Sequence, residues 1–147
     1  MATIKKFEDL EIWKLARTLS NNIFKLTEID PFVKDFNLKA QIKASSGSVM
    51  DNIAEGFGRG GNKEFINFLS IAVGSCCETK SQLFRSLDWK YISKDEFTIN
   101  YNLAEEIVSK TGKLITYLNN SEYKGEKFKN RTSTNKQQTT NNKQQTN

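Results

Sequence analysis

The sequence predicts an all-α protein, in which residues 1–120 form a four-helix bundle and residues 121–147 form a disordered polar tail. Four segments repeat apolar residues with the helical period, and none alternates apolar and polar residues as a strand does. The tail is predicted because residues 121–147 contain almost no apolar side chains and repeat the pentapeptide NKQQT. Such a segment cannot bury enough surface to offset the entropy cost of becoming ordered.

The first and fourth helices are predicted from apolar stripes whose steps alternate between three and four residues, which places the stripe on one helix face. In the first helix the stripe consists of Ile12, Ala16, Leu19, Ile23 and Leu26. In the fourth it consists of Phe97, Tyr101, Ala104, Val108, Thr111, Ile115 and Leu118. Ser93 and Glu96 have the spacing of a capping box that opens the fourth helix. Pro31 lies in the linker after the first helix, where it breaks neither neighbour.

The second helix is predicted over residues 38–57 and the third over residues 63–91, with a glycine-rich stretch between them. Gly56, Gly58 and Gly61 spell the G-x-G-x-x-G of a dinucleotide-binding loop. That loop has to follow a strand, so that its amides meet a pyrophosphate at the start of a helix, and no strand is predicted here. We therefore interpret the glycines as a helix end at left-handed torsions and a short turn, with the next helix capped near Asn62.

The second and third helices are predicted to form an antiparallel hairpin. If the chain reverses at Gly60–Gly61, the numbers of residues at the same level add up to 121, which places Gly47 opposite Gly74 and Lys43 level with Glu78 as an ion pair. Small residues around the two glycines would let the helices approach closely. Polar residues along this seam are expected to form a hydrogen-bonded network, with a partner or ligand pocket as the alternative. They are Ser48, Asn52, Glu55, Arg59, Glu78 and Gln82.

The third helix carries more apolar residues than one face can hold. They are Phe65, Ile66, Phe68, Leu69, Ile71, Ala72 and Val73. A helix that is apolar nearly all round is buried centrally or covered by another subunit. Because every helix of a four-helix bundle has an outer side, the pattern predicts a homo-oligomer, with Trp13, Phe57 and Trp89 as further candidates for the covered surface.

The net charge and the cysteines limit which partners and which cellular compartment we expect. The net charge is +5, but six basic and only two acidic residues lie in residues 121–147, so the predicted bundle is nearly balanced. The first residues do not resemble a signal peptide, and no apolar run is long enough for a membrane span, so we expect a cytoplasmic protein without membrane contact. The adjacent Cys76 and Cys77 fit small core residues better than a disulfide or a metal site.

The residue types argue against catalysis. The chain has no histidine, which removes the most common general base and metal ligand. No serine or cysteine lies in a recognisable nucleophile motif, and we expect no enzyme activity, no cofactor and no metal. Asp51, Glu55 and Glu64 offer a weak cation site as the alternative, but acids that are solvated or paired with Arg59 and Lys63 account for them better.

Four stretches carry a resemblance to a known family: FEDLEIWKLA (7–16), DPFVKDFNLKAQI (30–42), NIAEGFGR (52–59) and NKEFINFLSIAVGS (62–75). They resemble the small bacterial proteins encoded in intervening sequences of 23S rRNA genes. The resemblance implies an antiparallel up-down four-helix bundle that assembles as a ring-like homopentamer. A related branch is the accessory protein of diversity-generating retroelements, which binds a reverse transcriptase and nucleic acid through a basic outer surface. Gly60–Gly61 stands where the family often has Arg-Ser, which thins that surface.

The resemblance assigns family-motif positions, which we interpret as structural. These are Asn52, Ala54, Glu55, Gly56, Gly58, Arg59, Gly74, Ser75 and Glu78. It also makes binding of RNA or DNA through a basic face the first functional hypothesis. The candidate residues are Lys14, Arg17, Lys39, Lys43, Arg59, Lys63, Lys80 and Arg85. The alternative is a protein-interaction adaptor or scaffold, such as a reverse-transcriptase accessory role, that does not contact nucleic acid itself.

Overall fold

The computed structural model describes residues 3–145, and the side chains of residues 3–121. Four α-helices follow one another along the chain: α1 (Glu11–Thr27), α2 (Phe36–Gly58), α3 (Asn62–Asp88) and α4 (Lys94–Gln145). Short 3₁₀ turns, Phe7–Asp9 and Phe32–Lys34, precede α1 and α2. Because residues 3–145 contain no strand, the predicted all-α class is confirmed.

The helices pack in a ring of consecutive neighbours: α1 on α2, α2 on α3, α3 on α4, and α4 back on α1. Ion pairs between neighbouring helices show that they run antiparallel. Glu28 at the end of α1 meets Lys39 near the start of α2, and Glu11 at the start of α1 meets Lys110 well along α4. The described residues therefore form the up-down four-helix bundle that the sequence predicts.

Local signals set the helix ends. The Asp35 carboxylate caps α2 by accepting a hydrogen bond from the Leu38 amide at 3.0 Å. The predicted capping box of α4 is confirmed, since Ser93 and Glu96 each accept a hydrogen bond from the other's amide, at 3.1 and 2.9 Å. The predicted start of α3 near Asn62 is confirmed to within one residue: Gly61 is the N-cap and Asn62 is already helical.

The apolar stripe of α1 is confirmed, because all five of its residues are buried. On α4 the stripe is only partly right. Ala104, Thr111 and Leu118 are buried, whereas the other four residues of the stripe are only half-buried. The predicted stripe omits Ile107, which is buried. α4 packs against both α1 and α3, and of the half-buried residues Phe97 and Tyr101 contact Phe84 of α3.

The predicted register of α2 and α3 is wrong by two to three residues. Ser48 bonds to Ser75 and Ser45 bonds to Thr79, so paired numbers add up to 123 or 124 rather than 121. The cause lies in the turn. Arg59 still has right-handed helical torsions, Gly60 has φ of 85° and Gly61 is extended. The chain thus runs on beyond α2 before it reverses, and the bonded pairs place the reversal at Gly61–Asn62 rather than at Gly60–Gly61.

The corrected register moves the predicted close contact. A Cβ added at Gly47 or Gly74 would meet no atom within 4 Å, so these two glycines do not hold the helices together. A Cβ at Gly56 would lie 2.5 Å from the Cβ of Phe68. The expected ion pair of Lys43 with Glu78 is also wrong: Lys43 lies over the Phe24 ring, and Glu78 accepts a hydrogen bond from Gln82.

Apolar residues do lie on several sides of α3, as its sequence indicates. Leu69 and Ala72 are buried in the core, whereas Ile71 is 52% exposed. The two cysteines also differ. Cys76 is buried, as expected for a core residue, but Cys77 is exposed, so the core interpretation is wrong for Cys77.

The last part of α4 extends the helix far past the length of its neighbours. Its helical backbone continues to Gln145, so that α4 has 52 residues in total. The side chains from residue 122 onwards lie outside the described residues. The disordered tail of residues 121–147 therefore stays a prediction.

Candidate interaction surfaces

A polar network lies in the seam between α2 and α3. The buried Ser45 hydroxyl donates to Gln82 Oε1 at 2.6 Å and is hydrogen bonded to Thr79 Oγ1 at 2.8 Å. The single Thr79 hydroxyl proton can be donated either to Ser45 Oγ or to the Ser75 carbonyl, which lies at 2.9 Å. Gln82 Nε2 reaches Glu78 Oε1 at 3.3 Å, which brings the network towards the surface. Every one of these hydroxyl and amide groups has a partner, which is the condition for a buried polar network to stabilise a core.

A second group of polar residues continues this seam towards the α2–α3 turn. Ser48 Oγ is hydrogen bonded to Ser75 Oγ at 2.9 Å. Asn52 Nδ2 donates to the carbonyl and hydroxyl oxygens of Ser48 at 2.8 and 2.9 Å. The predicted network is thus right for Ser48, Asn52, Glu78 and Gln82. Glu55 and Arg59 do not join it, because they form their own exposed ion pair at 2.9 Å.

Other motif positions fall into three structural classes. Gly56 is buried against Phe68, so the motif glycine there has a packing role. Gly58 and Gly74 are exposed and a side chain at either would meet open space. Ala54 is half-buried.

The sequence did not predict the contacts that Ser45, Thr79 and Phe68 make between α2 and α3. Ser45 and Thr79 are polar, so a search for apolar stripes does not identify them as core positions. Ser45 falls between the buried Ile42 and Val49, and Thr79 lies three residues after Cys76. Small polar residues in a buried stripe on both helices are the signal that could have found them.

The structure does not bring the eight basic candidates onto one surface. Lys39 faces α1 through an ion pair with Glu28 at 2.9 Å. Lys80 faces α4 through an ion pair with Glu105, and Arg85 faces α2, where it donates to Gln41 at 3.2 Å. The side chains thus point along three different sides of the bundle.

Acids and aromatic rings neighbour most of these basic groups. Lys39, Arg59 and Lys80 are paired with carboxylates. The hydrogen bond that Lys80 donates to the Glu105 carboxylate raises the pKa of Lys80, although burial opposes this shift, and so keeps the ammonium charged. The guanidinium of Arg17 lies over the Trp13 ring and that of Arg85 over the Trp89 ring, at 5.7 and 5.0 Å from the ring centroids. Lys14 and Lys63 are exposed.

The end of the bundle that holds the α1–α2 linker and the α3–α4 turn is tied by one polar contact. The Tyr91 hydroxyl donates to Asp35 Oδ2 at 2.8 Å, while Asp35 Oδ1 accepts from the Leu38 amide. These two hydrogen bonds, the backbone one first, hold the pKa of Asp35 below its ordinary value of 3.8. The same contact raises the pKa of Tyr91.

The Asp35 contact predicts a pH dependence of stability. A carboxyl whose pKa is lower in the folded state stabilises the fold above its ordinary pKa, and this contribution disappears as the pH falls through the folded-state pKa. Asp35→Asn keeps a capping side chain but removes the charge. We expect it to lower the melting temperature near neutral pH and to match the wild type at about pH 2. Melting curves across this range test it, with Asp51→Asn, an exposed carboxylate on the same helix, as the control. A difference that stays constant with pH would contradict the prediction.

The described residues offer neither a metal site nor a membrane-spanning helix. No group of three or more cysteine, aspartate or glutamate side chains comes together in a way that could hold a metal ion, so Asp51, Glu55 and Glu64 do not converge. No described helix combines the length and the apolar character that crossing a bilayer requires.

Comparison with known proteins places the chain among related sequences. Residues 8–113 match the family model described as 23S rRNA-intervening sequence protein. The fold is similar to the crystal structure of a protein of unknown function from the S23 ribosomal protein family of Bacteroides thetaiotaomicron, with a TM-score of 0.65 and 24% identity. That similarity covers 71% of this chain and 97% of the other. At this identity it shows the shared fold alone. No curated protein matches the chain.

Proposed function

The chain belongs to the 23S rRNA-intervening sequence protein family, and from this membership and its exposed apolar surface we propose that it is a non-enzymatic bundle that self-associates and acts by binding other macromolecules. The observation that carries the proposal is the apolar surface of α3. Ile71 is 52% exposed, and Phe84, which lies on the side of α3 that faces α4, is 47% exposed. Apolar side chains that cluster on an outer surface commonly mark a site of protein–protein interaction.

The Phe84 side of α3 supports this proposal most directly. Phe84 packs against Phe97 and Tyr101 of α4, with ring centroids 4.8 and 5.5 Å apart. Together these three aromatic rings form a surface cluster that a second copy would cover. Fully burying such a side chain contributes about 1.5–3 kcal/mol. A ring of five copies, as the family resemblance implies, repeats this contact at each junction.

Replacing an exposed apolar residue of α3 by an acid is expected to weaken the assembly. Ile71→Asp and Phe84→Asp each remove the apolar contact and introduce a charge that would have to be desolvated. We expect the dissociation constant to rise about 10- to 100-fold, which corresponds to the lost burial energy. Sedimentation velocity measures the mass of the assembly, against 16.8 kDa for one chain.

Ser109→Asp, an exposed substitution on α4, is the matched control and should leave the mass unchanged. A wild-type protein that stays monomeric over the micromolar range would refute self-association. Equal dissociation by the control would show that added charge, and not the apolar surface, weakens the assembly.

Nucleic-acid binding is the second candidate function, and the contact of Arg85 with Trp89 favours it. Trp89 is 49% exposed and has a guanidinium over its ring. Proteins that bind single strands stack bases on such aromatic rings and pair phosphates with nearby cations. The basic residues spread over several sides weigh against one strong binding face. Without such binding, the bundle would act as a protein-interaction adaptor.

A salt titration of labelled single-stranded and structured RNA against the full chain separates these two candidates. If Arg85 and Trp89 bind RNA, Arg85→Gln should reduce the slope of log affinity against log salt by about one. Trp89→Ala should cost about 1–3 kcal/mol in binding a single strand. The same titration with a chain that ends at Ser121 assigns any remaining affinity. No binding at low salt, or binding that disappears with residues 122–147, would refute the role of the folded surface.

A further inference from the structure

A cavity of about 720 Å³ opens at the end of the bundle opposite the Asp35–Tyr91 contact. It lies where the first residues of the chain, the α2–α3 turn and one stretch of α4 meet. Apolar side chains form most of its wall: Ile4, Leu10, Phe57, Phe65, Leu114 and Leu118. The volume falls within the roughly 300–1,000 Å³ that is typical of small-molecule sites.

The α2–α3 turn keeps this cavity open. Gly60 and Gly61 contribute bare backbone to the wall, and a Cβ at either position would meet no atom within 4 Å. Below the turn, the rings of Phe57 and Phe65 pack edge to face with centroids 5.9 Å apart. The turn that reverses the chain therefore also leaves room beside two aromatic rings.

The polar groups of the cavity indicate which ligand it would take. Lys113 is the one charged residue among the described residues that line it, and it has no ion-pair partner within the described part of the chain. Tyr117, one turn further along α4, adds a hydroxyl at the same wall and is 55% exposed. A single cation beside an apolar wall complements a ligand with one negative charge and an apolar body.

A purely apolar occupant fits less well. An apolar surface of a second copy, pressed onto this wall, would have to desolvate the Lys113 ammonium without offering it an acceptor. A carboxylate at the mouth supplies that acceptor, while a hydrocarbon chain fills the apolar interior. Charge complementarity thus selects an amphipathic anion.

We propose that this cavity binds a monocarboxylate with a medium-length hydrocarbon chain. The chain lies against Phe57, Phe65 and Leu114, and the carboxylate pairs with Lys113. This proposal is independent of the proposed self-association, because the surface of α3 around Ile71 and Phe84 does not line the cavity.

Three eight-carbon probes test the proposal on the full chain: octanoate, 1-octanol and octyltrimethylammonium. Relaxation-optimised amide spectra locate the binding, and we expect octanoate to shift the Gly60, Gly61 and Leu114 amides. Octanoate should bind about five-fold more tightly than 1-octanol, which is the contribution of one partly exposed ion pair. Octyltrimethylammonium should bind more weakly than either.

Variants at Lys113 separate charge from apolar capture. Lys113→Met should abolish the preference for octanoate over 1-octanol, and Lys113→Arg should retain it, while both variants keep the wild-type melting temperature. Equal affinities for the three probes with the wild type, or shifts confined to amides elsewhere, would overturn the proposal. Shifts at Gly60 and Gly61 that follow protein concentration without any probe would also overturn it, because they would identify a second copy as the occupant.

Discussion

Adding one methyl group at Gly56 should destabilise the bundle by about 1–3 kcal/mol, the usual cost of overpacking a core. The new Cβ would lie 2.5 Å from the Cβ of Phe68, and 3.2 Å from the nearest ring atom of Phe65. Because the Cβ of Phe68 is fixed to the α3 backbone, only a separation of the two helices can relieve the contact. This cost outweighs the gain of about 0.5–1 kcal/mol that alanine has over glycine inside a helix.

Gly58→Ala is the matched control for this substitution. Gly58 lies on the same helix two residues later, and a Cβ there would meet no atom within 4 Å. We expect it to be neutral or to stabilise by about 0.4–1 kcal/mol, since alanine reduces the entropy of the unfolded chain. Urea unfolding at two protein concentrations measures both variants and corrects for linkage to assembly.

Repeating Gly56→Ala in a Phe68→Ala variant identifies which atom of Phe68 causes the steric conflict. Phe68→Ala removes the ring but keeps the Cβ, so Gly56→Ala should remain destabilising when Phe68 is also alanine. If the double variant instead shows no further loss beyond Phe68→Ala, the ring would be the obstacle, and the close approach of the α2 and α3 backbones would be refuted.

Removing the Ser45 hydroxyl should cost about 1–3 kcal/mol, because it leaves a buried acceptor without a donor. Ser45 Oγ donates to Gln82 Oε1 at 2.6 Å, and both residues are 4% exposed. Thr79 keeps its bond to the Ser75 carbonyl in the variant. The loss in Ser45→Ala therefore falls mainly on the amide oxygen of Gln82.

An apolar replacement of the orphaned partner should recover much of this loss. Replacing both members of a buried polar pair by apolar groups is often nearly neutral, whereas breaking the pair is costly. We expect Ser45→Ala with Gln82→Leu to be more stable than Ser45→Ala alone. Urea unfolding of the wild type, the two single variants and the double variant gives the coupling energy. Strict additivity of the two substitutions would show that the hydrogen bond does not couple them.

The helices could be predicted from sequence because their signals are local. The α1 stripe, the Ser93–Glu96 capping box and the glycine turn each depend on residues within a few positions of one another. The α2–α3 register could not be predicted in the same way. It depends on torsions at Arg59 and Gly60 and on the fit of Gly56 against Phe68, and a reversal point assumed from the glycines alone missed it by two to three residues.

The candidate site shows the same division. Polar residues along the α2–α3 seam could be identified as a network because they recur at helical spacing. The distribution of the basic residues over three sides of the bundle could not be predicted, because it depends on how each helix is rotated about its axis. A count of lysines and arginines gives the number of positive charges. Lys39 and Lys80 show that an acid from a neighbouring part of the bundle decides how many of these charges are left unpaired at the surface.

The adjacent Cys76 and Cys77 differ in exposure, so their labelling rates report two different properties of the protein. The thiolate is the reactive form, and burial raises the pKa of Cys76 to about 12. Because the Cys76 side chain is also fully buried, an alkylating reagent reaches it only when α3 opens. Cys77 is exposed in the single chain, so its labelling rate reports whether another molecule covers that side of α3. Mass spectrometry of one proteolytic peptide at successive labelling times therefore reports two rates. The labelling rate of Cys76 measures local opening of the bundle, and that of Cys77 measures how far the outer surface of α3 is covered.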